Sequence, residues 1–143
     1  MKYLVSSCLL GKNCKYNGGN NLCPKLVEFL KDKDYIDCCP ECLGGLSTPR
    51  IPSEIRGNRV VNENNIDVTK EYNLGAEKAL KIAKENNCDC AILKSKSPSC
   101  GYGKVYDGTF SKTLIPGNGI TTNLLIENNI KIISSDDPIF LDK

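Results

Sequence analysis

The stretch Cys38-Cys39-Pro40-Glu41-Cys42 sets three thiols and a carboxylate around a proline, in a chain of 143 residues with nine cysteines and no histidine. Thiols without imidazoles narrow the chemistry. Structural zinc takes four ligands, commonly as two Cys-x-x-Cys knuckles. Cys39 and Cys42 make one such pair, but Cys88-Asp89-Cys90 has the wrong spacing for a second. Iron–sulfur clusters are held by thiolates. A cluster tethered by three cysteines leaves one iron without a protein ligand, a Lewis acid suited to chemistry rather than electron transfer. A disulfide framework fits poorly, because nine is odd and a chain of this length can bury a core without staples.

Which thiols can meet depends on the elements that carry them. Four short apolar runs, at 3–7, 35–39, 90–95 and 131–134, read as buried parallel strands because they are nearly continuous rather than alternating. Between them lie helical segments. Residues 24–32 place Leu26, Val27 and Leu30 on one face behind Pro24. Residues 69–87 carry Tyr72, Ala76, Ala79, Leu80 and Ala83 at helical spacing, with Asp67 or Thr69 as the cap, and 119–129 is a shorter helix. Strands alternating with helices predict an α/β fold: one Rossmann-like domain over residues 1–143, with a mainly parallel sheet and long active-site loops. Residues 43–65 fit neither period and read as one long loop. Residues 95–119 form a second irregular segment with a hairpin around Asp107-Gly108.

On that scheme Cys8 follows the first strand, Cys39 closes the second, and Cys100 lies in the loop that leaves the third. Parallel strands share one C-terminal edge, where such folds put ligands, so three thiols distant in sequence converge. Cys88, Cys90 and Cys23 are expected to be packing residues. Cys38 alternates with Cys39 and so faces the opposite side. Cys14 and Cys42, both in loops near strand ends, stay open as ligands, reactive thiols or bystanders.

Composition excludes several classes. The net charge of +2 is too small to argue for nucleic acid or an anionic membrane. Lys94, Lys96, Lys104 and Lys112 are nevertheless neighbours in the chain, read either as solvated lysines or as a bias toward an anionic substrate. No apolar run reaches the roughly 20 residues of a membrane span. The start, MKYLVSSCLLGK, is read as a first strand rather than a signal peptide, which places the protein in the cytosol.

Four stretches, VSSCLLGKNCKYNGGNN, CPECLGGLSTPRIPSEI, LKSKSPSCGYGKVYDGTF and PGNGITTNLL, resemble in order the successive signatures of the thiouracil desulfurase family, over Tyr3 to about Ser134. The resemblance implies a [4Fe-4S] cluster held by Cys8, Cys39 and Cys100. It implies removal of sulfur from 2-thiouracil-type bases, giving uracil and hydrogen sulfide without net redox change, with the sulfur drawn onto the open iron. It places the family's catalytic pair on Glu41 and Ser97. The chain departs from the pattern at Ser7 and Asn17, where alanine and aspartate are usual, and in the added Cys38 and Cys42. The substrate is then a small thiopyrimidine, with no nucleic acid or membrane partner. Glu41 would activate water or protonate the leaving group, and Ser97 would hydrogen-bond the pyrimidine or relay a proton. Gly44, Gly45, Gly101 and Gly103 would let backbone amides approach a flat heterocycle. Arg50 and Glu54 would close the pocket or pair with each other. Two other functions compete: desulfuration of a thiolated nucleoside or nucleotide, and a non-catalytic carrier of clusters or sulfur.

Overall fold

The structure is a computed structural model and describes residues 1–140. Its centre is a four-stranded sheet of β1 (Lys2–Ser6), β2 (Asp34–Cys38), β5 (Cys90–Leu93) and β8 (Lys131–Ser134) in the order β2-β1-β5-β8. Every neighbouring pair in it is parallel. The strands are four or five residues long and β1 and β5 are buried on both faces, so their side chains alternate between two cores. Leu4, Ala91 and Leu93 face α3 (Thr69–Glu85) and α4 (Ile120–Glu127), meeting Ala79, Ala83 and Leu125. Tyr3, Val5, Cys90 and Ile92 face α1 (Pro24–Leu30), meeting Leu26, Leu30 and Phe140. The expected α/β fold with a parallel sheet is thus the observed one.

The local differences have physical reasons. Val27 is turned to solvent, so α1 is seated by Leu26 and Leu30, with Phe29 packed edge-on between Tyr3 and Phe140. Neither Asp67 nor Thr69 is the N-cap of α3, which is Val68. Asp67 Oδ1 instead accepts the Thr69 amide at 2.9 Å, and Thr69 Oγ1 accepts the Val60 amide at 2.8 Å. The 43–65 segment is not one loop. It holds a hairpin of β3 (Ser53–Arg56) and β4 (Arg59–Asn62) joined by Gly57 and Asn58, with Gly57 at φ +64. A glycine in the left-handed region is what a two-residue hairpin turn requires. The second hairpin, β6 (Lys104–Tyr106) with β7 (Leu114–Pro116), is present, but Asp107-Gly108 opens a loop over 107–113 rather than forming the turn itself.

One short helix was not foreseen: α2 (Pro40–Leu43), which begins directly after Cys39 and carries Glu41 in its first turn. A single helical turn does not hold itself. It is seated on α3 by two glycines: a Cβ on Gly44 would lie 2.0 Å from the Glu71 carbonyl oxygen, and one on Gly75 would lie 1.9 Å from that of Pro40. Gly75→Ala must force the two backbones apart. We expect it to cost about 2 kcal/mol, within the range for overpacking, read as a fall in the denaturation midpoint at unchanged m-value.

Candidate active site

β1 ends in a 3-10 turn, Ser7–Leu10, closed by Gly11 at φ +91, whose amide reaches the Cys8 carbonyl. The chain then curls back so that the Asn21 amide also donates to the Cys8 carbonyl, at 2.9 Å, while Asn21 Nδ2 approaches Cys8 Sγ at 3.4 Å. β2 ends one residue before Cys39, which takes the N-cap position of α2 in extended backbone geometry. β5 runs into the Ser-Pro-Ser-Cys loop. There Ser97 Oγ accepts the amides of Ser99 and Cys100 at 3.1 and 3.0 Å, and the Gly101 amide reaches the Ser97 carbonyl at 2.8 Å. Three strand ends therefore place Cys8, Cys39 and Cys100 on the wall of one cavity of about 520 Å3, and Glu41 and Ser97 line it with them.

Cys14, left open by the sequence, and Cys38 bring the thiols on that wall to five; Cys14 stands among the others. Hydrogen bonding with Cys39 and Cys8 pushes its own pKa up. The same interaction, opposed by burial, lowers the Cys8 pKa to about 7 and the Cys39 pKa to about 6. Cys100 is nearly buried, and burial pushes its thiol up to about 12 despite hydrogen bonds from Ser6 and Ser99. Cys38 packs in the core cluster with Leu4 and Leu93, where burial raises its pKa, yet it also reaches the cavity wall instead of facing wholly away from it. Cys42 lies off the cavity wall with its sulfur 3.5 Å from Thr48 Oγ1. Cys88 and Cys90 are buried, and Cys23 packs beside Phe140, its thiol 3.7 Å from that residue's carbonyl oxygen. All nine cysteines are free thiols.

The carboxylate of Glu41 is divided between two tasks. Oε1 meets Arg50 Nε and Nη2, each at 3.1 Å, in an ion pair whose side chains are 14% and 8% exposed. Oε2 accepts from Ser99 Oγ at 2.9 Å and stands 3.5 Å from Ser97 Oγ; the two hydroxyls are 2.9 Å apart. Arg50 therefore pairs with Glu41, not with Glu54, whose Oε1 instead accepts the amides of Gly108 and Phe110. Ser99, closest to the carboxylate and 2% exposed, was missed in the sequence, although its place in Ser-Pro-Ser-Cys was the available signal. Gly44, Gly45, Gly101 and Gly103 do not line the cavity. Gly44 serves the α2–α3 crossing, and Gly101 packs against the Ser97 carbonyl. Of the four neighbouring lysines, Lys94, Lys96 and Lys112 reach the wall, joined by Lys15, and Lys104 does not. The two departures from the family pattern are accommodated: Ser7 Oγ donates to Asp37 Oδ2 at 2.7 Å, and Asn17 Oδ1 accepts the Gly19 amide at 2.9 Å, a role open to an aspartate as well.

The family model described as 2-thiouracil desulfurase matches residues 3–137. The chain belongs to the 2-thiouracil desulfurase family. It is 43% identical to the uncharacterized protein YbbK of Bacillus subtilis (strain 168), over 94% of this chain and 95% of that one. It is also similar to a solved structure, the [4Fe-4S]-dependent thiouracil desulfidase TudS, with a TM-score of 0.90, 40% identity, and coverage of 96% of this chain and 92% of that one. Among the described residues, no helix is long and apolar enough to cross a membrane.

For a desulfurase-family cavity the donor set is telling. It offers sulfur ligands, carboxylates, hydroxyls and basic side chains, and no nitrogen heterocycle. Among the described residues, no three thiols and carboxylates close in tightly enough for a single metal ion; the thiols stand around a space instead. Because the two lowered thiols are half-buried and the third is not reachable, the apo-protein should alkylate selectively. Iodoacetamide labelling mapped by mass spectrometry should be half-maximal near pH 6 at Cys39 and near pH 7 at Cys8, since each thiolate exists only above its pKa. Cys100 should stay unmodified through pH 9.

Proposed function

We propose that the protein is an iron–sulfur-dependent, non-redox desulfidase that converts 2-thiouracil to uracil and hydrogen sulfide. The observation that carries this reading is the meeting of three thiols from three separate strand ends with Glu41 and Ser97 in one cavity, in a chain so similar to TudS. Cys8, Cys39 and Cys100 would hold a [4Fe-4S] cluster. A donor set of thiols arranged around a cavity fits such a group better than it fits a single ion. When bound, the cluster supplies a Lewis-acid iron whose softness suits a thiocarbonyl sulfur.

The protein's own part is proton management and positioning. Glu41 keeps Oε2 facing Ser97 and Ser99 while Arg50 occupies Oε1. The oxygen left to the serines can take a proton from water as it adds to the ring carbon, and return it to the departing sulfur. Water then supplies the oxygen of uracil and both protons of hydrogen sulfide, so no electrons are exchanged. Ser97 Oγ already accepts two amides, so its proton is the one to be donated, to Ser99 Oγ, which passes its own to Glu41, or to a ring atom of the substrate. A burial-depressed Lys94, whose ammonium is held by the carbonyl and hydroxyl of Ser95, adds a donor on the Cys8 side.

A thiolated nucleoside or nucleotide is the second reading. Lys15, Lys96 and Lys112 on the wall favour it, as partners for a phosphate. The cytosol, where free thiols persist, is the compartment we assign.

The test is anaerobic reconstitution followed by measurement of uracil and sulfide from 2-thiouracil, 2-thiouridine and its monophosphate. Cys8→Ala, Cys39→Ala and Cys100→Ala should each lose bound iron; a variant that keeps full iron and turnover removes that cysteine from the ligand set. Glu41→Ala should keep its iron and lose about 10²–10⁴-fold in kcat, the usual worth of general acid–base catalysis. Unimpaired turnover there would exclude Glu41 from proton transfer.

A further inference from the structure

The two hairpins outside the main sheet are cross-tied beside the cavity. Glu54 on β3 is 9% exposed and spends Oε1 on two amides, Gly108 at 3.0 Å and Phe110 at 3.1 Å. Two residues on, Arg56 places Nε and Nη2 on the Gly108 carbonyl, at 3.2 and 2.7 Å. The 107–113 loop is thereby latched to β3 by four charge-assisted hydrogen bonds, the stronger kind. The approach is close enough to need glycine: Gly108 has φ +92, and a Cβ there would lie 2.8 Å from the Ile55 carbonyl oxygen.

Beyond the latch the loop adopts a costly shape. Phe110 and Lys112 both have positive φ, at 57 and 62. Residues with a Cβ hold that conformation only where their surroundings over-determine it, and such places cluster at functional sites. Here the surroundings are Glu54 and Arg56, and the side chain they aim is the Phe110 ring, which lies on the same wall as the thiols, Glu41 and Ser97.

Three other rings share that wall, and each is otherwise engaged. Tyr72 is 2% exposed and packed in a core cluster with Val60 and Val68. Tyr16 is exposed, with the Lys15 ammonium 5.7 Å from its centroid. Tyr106 sits in the β6–β7 ladder opposite Leu114, at the root of the loop. Phe110 is half-buried, has no polar atom to satisfy, and offers an apolar face.

We propose that Phe110 is a specificity-determining residue that stacks on the flat face of the pyrimidine, and that Glu54 is the positioning residue that sets the ring's place by holding loop 107–113. The inference rests on the desulfidase reading and deepens it. The polar groups of the cavity are suited to the edge of a heterocycle and to its thiocarbonyl. Its π-face needs a surface that asks for no hydrogen bond, which an aromatic ring supplies.

The experiment is steady-state kinetics on 2-thiouracil with the loaded enzyme, together with equilibrium binding of uracil, which does not react. Phe110→Ala should raise KM and weaken uracil roughly 5- to 100-fold, the scale of one stacked base, with kcat within about threefold and iron content unchanged. Phe110→Tyr should restore both. Glu54→Ala should raise KM as Phe110→Ala does, and Glu54→Gln should restore it, because an amide oxygen can still accept both backbone N–H groups. Phe110→Leu, which keeps apolar bulk without a π-face, covers the case in which the alanine variant is not stable, and should weaken uracil in the same way. A wild-type KM and uracil affinity in Phe110→Ala or Phe110→Leu overturns the stacking role. Equal damage from Glu54→Gln and Glu54→Ala overturns the positioning role. Wild-type enzyme that releases no sulfide from 2-thiouracil overturns the desulfidase reading itself, a separate result.

Discussion

The site depends on one buried cation. Arg50 has five N–H donors in a rigid fork, and its surroundings use every arm of it. Nε and Nη2 hold Glu41 Oε1, Nη1 holds the Ser47 carbonyl and Thr48 Oγ1, and Nη2 also holds the Cys14 carbonyl at 2.9 Å. Its own amide donates to the Tyr16 carbonyl at 2.6 Å. One side chain thus joins the loop after β1, the helix after β2 and the segment ahead of β3. A buried pair of this kind is weak evidence for stability, since burying both charges costs about what their attraction returns. Its value here is geometric. By saturating one oxygen of Glu41, Arg50 leaves the other as the oxygen that faces the serines.

The same division of labour explains how so short a helix can hold both a thiol and a carboxylate at the cavity. α2 spans four residues, with Cys39 at its N-cap and Glu41 in its first turn. Neither could be held by the helix alone. From behind, α2 is pinned by the glycine contact with α3; from the front, by Arg50 and by Ser99, itself fixed in the loop that bears Cys100. The thiol and the carboxylate are therefore placed by the packing of backbone on backbone and by a saturated guanidinium. These constraints tolerate little drift in the position of either group.

What was legible in the sequence follows the range of the interactions involved. The sheet and the three long helices announce themselves because burial imposes a period on nearby residues. That Cys8, Cys39 and Cys100 converge needed only the rule that parallel strands share an edge. The β3–β4 hairpin was hidden because its strands, Ser53–Arg56 and Arg59–Asn62, carry charge on their outward positions, and a loop-like composition covered a Gly-Asn turn. Arg50 could not be assigned its partner, because Glu41 and Glu54 are both near in sequence and only the fold decides between them. Cys14 was equally undecidable. Its thiol meets Cys8 and Cys39 because the loop curls back through Asn21 and Cys23, whose amides find the carbonyls of Cys8 and Leu9.

The two glutamates deserve comparison, since each uses a carboxylate to tie distant loops and yet their fates differ. Glu54 gives one oxygen to two amides of a single loop, and Arg56 completes the clamp on the same residue, Gly108; the result is a fixed wall. Glu41 gives one oxygen to a guanidinium and the other to hydroxyls, groups that both donate and accept. An amide can only hold a carboxylate, whereas a hydroxyl can pass a proton along. The sheet thus serves as a base that brings three thiols to one edge, and the two carboxylates above it are told apart by what they face: backbone N–H groups at Glu54, serine hydroxyls and a guanidinium at Glu41.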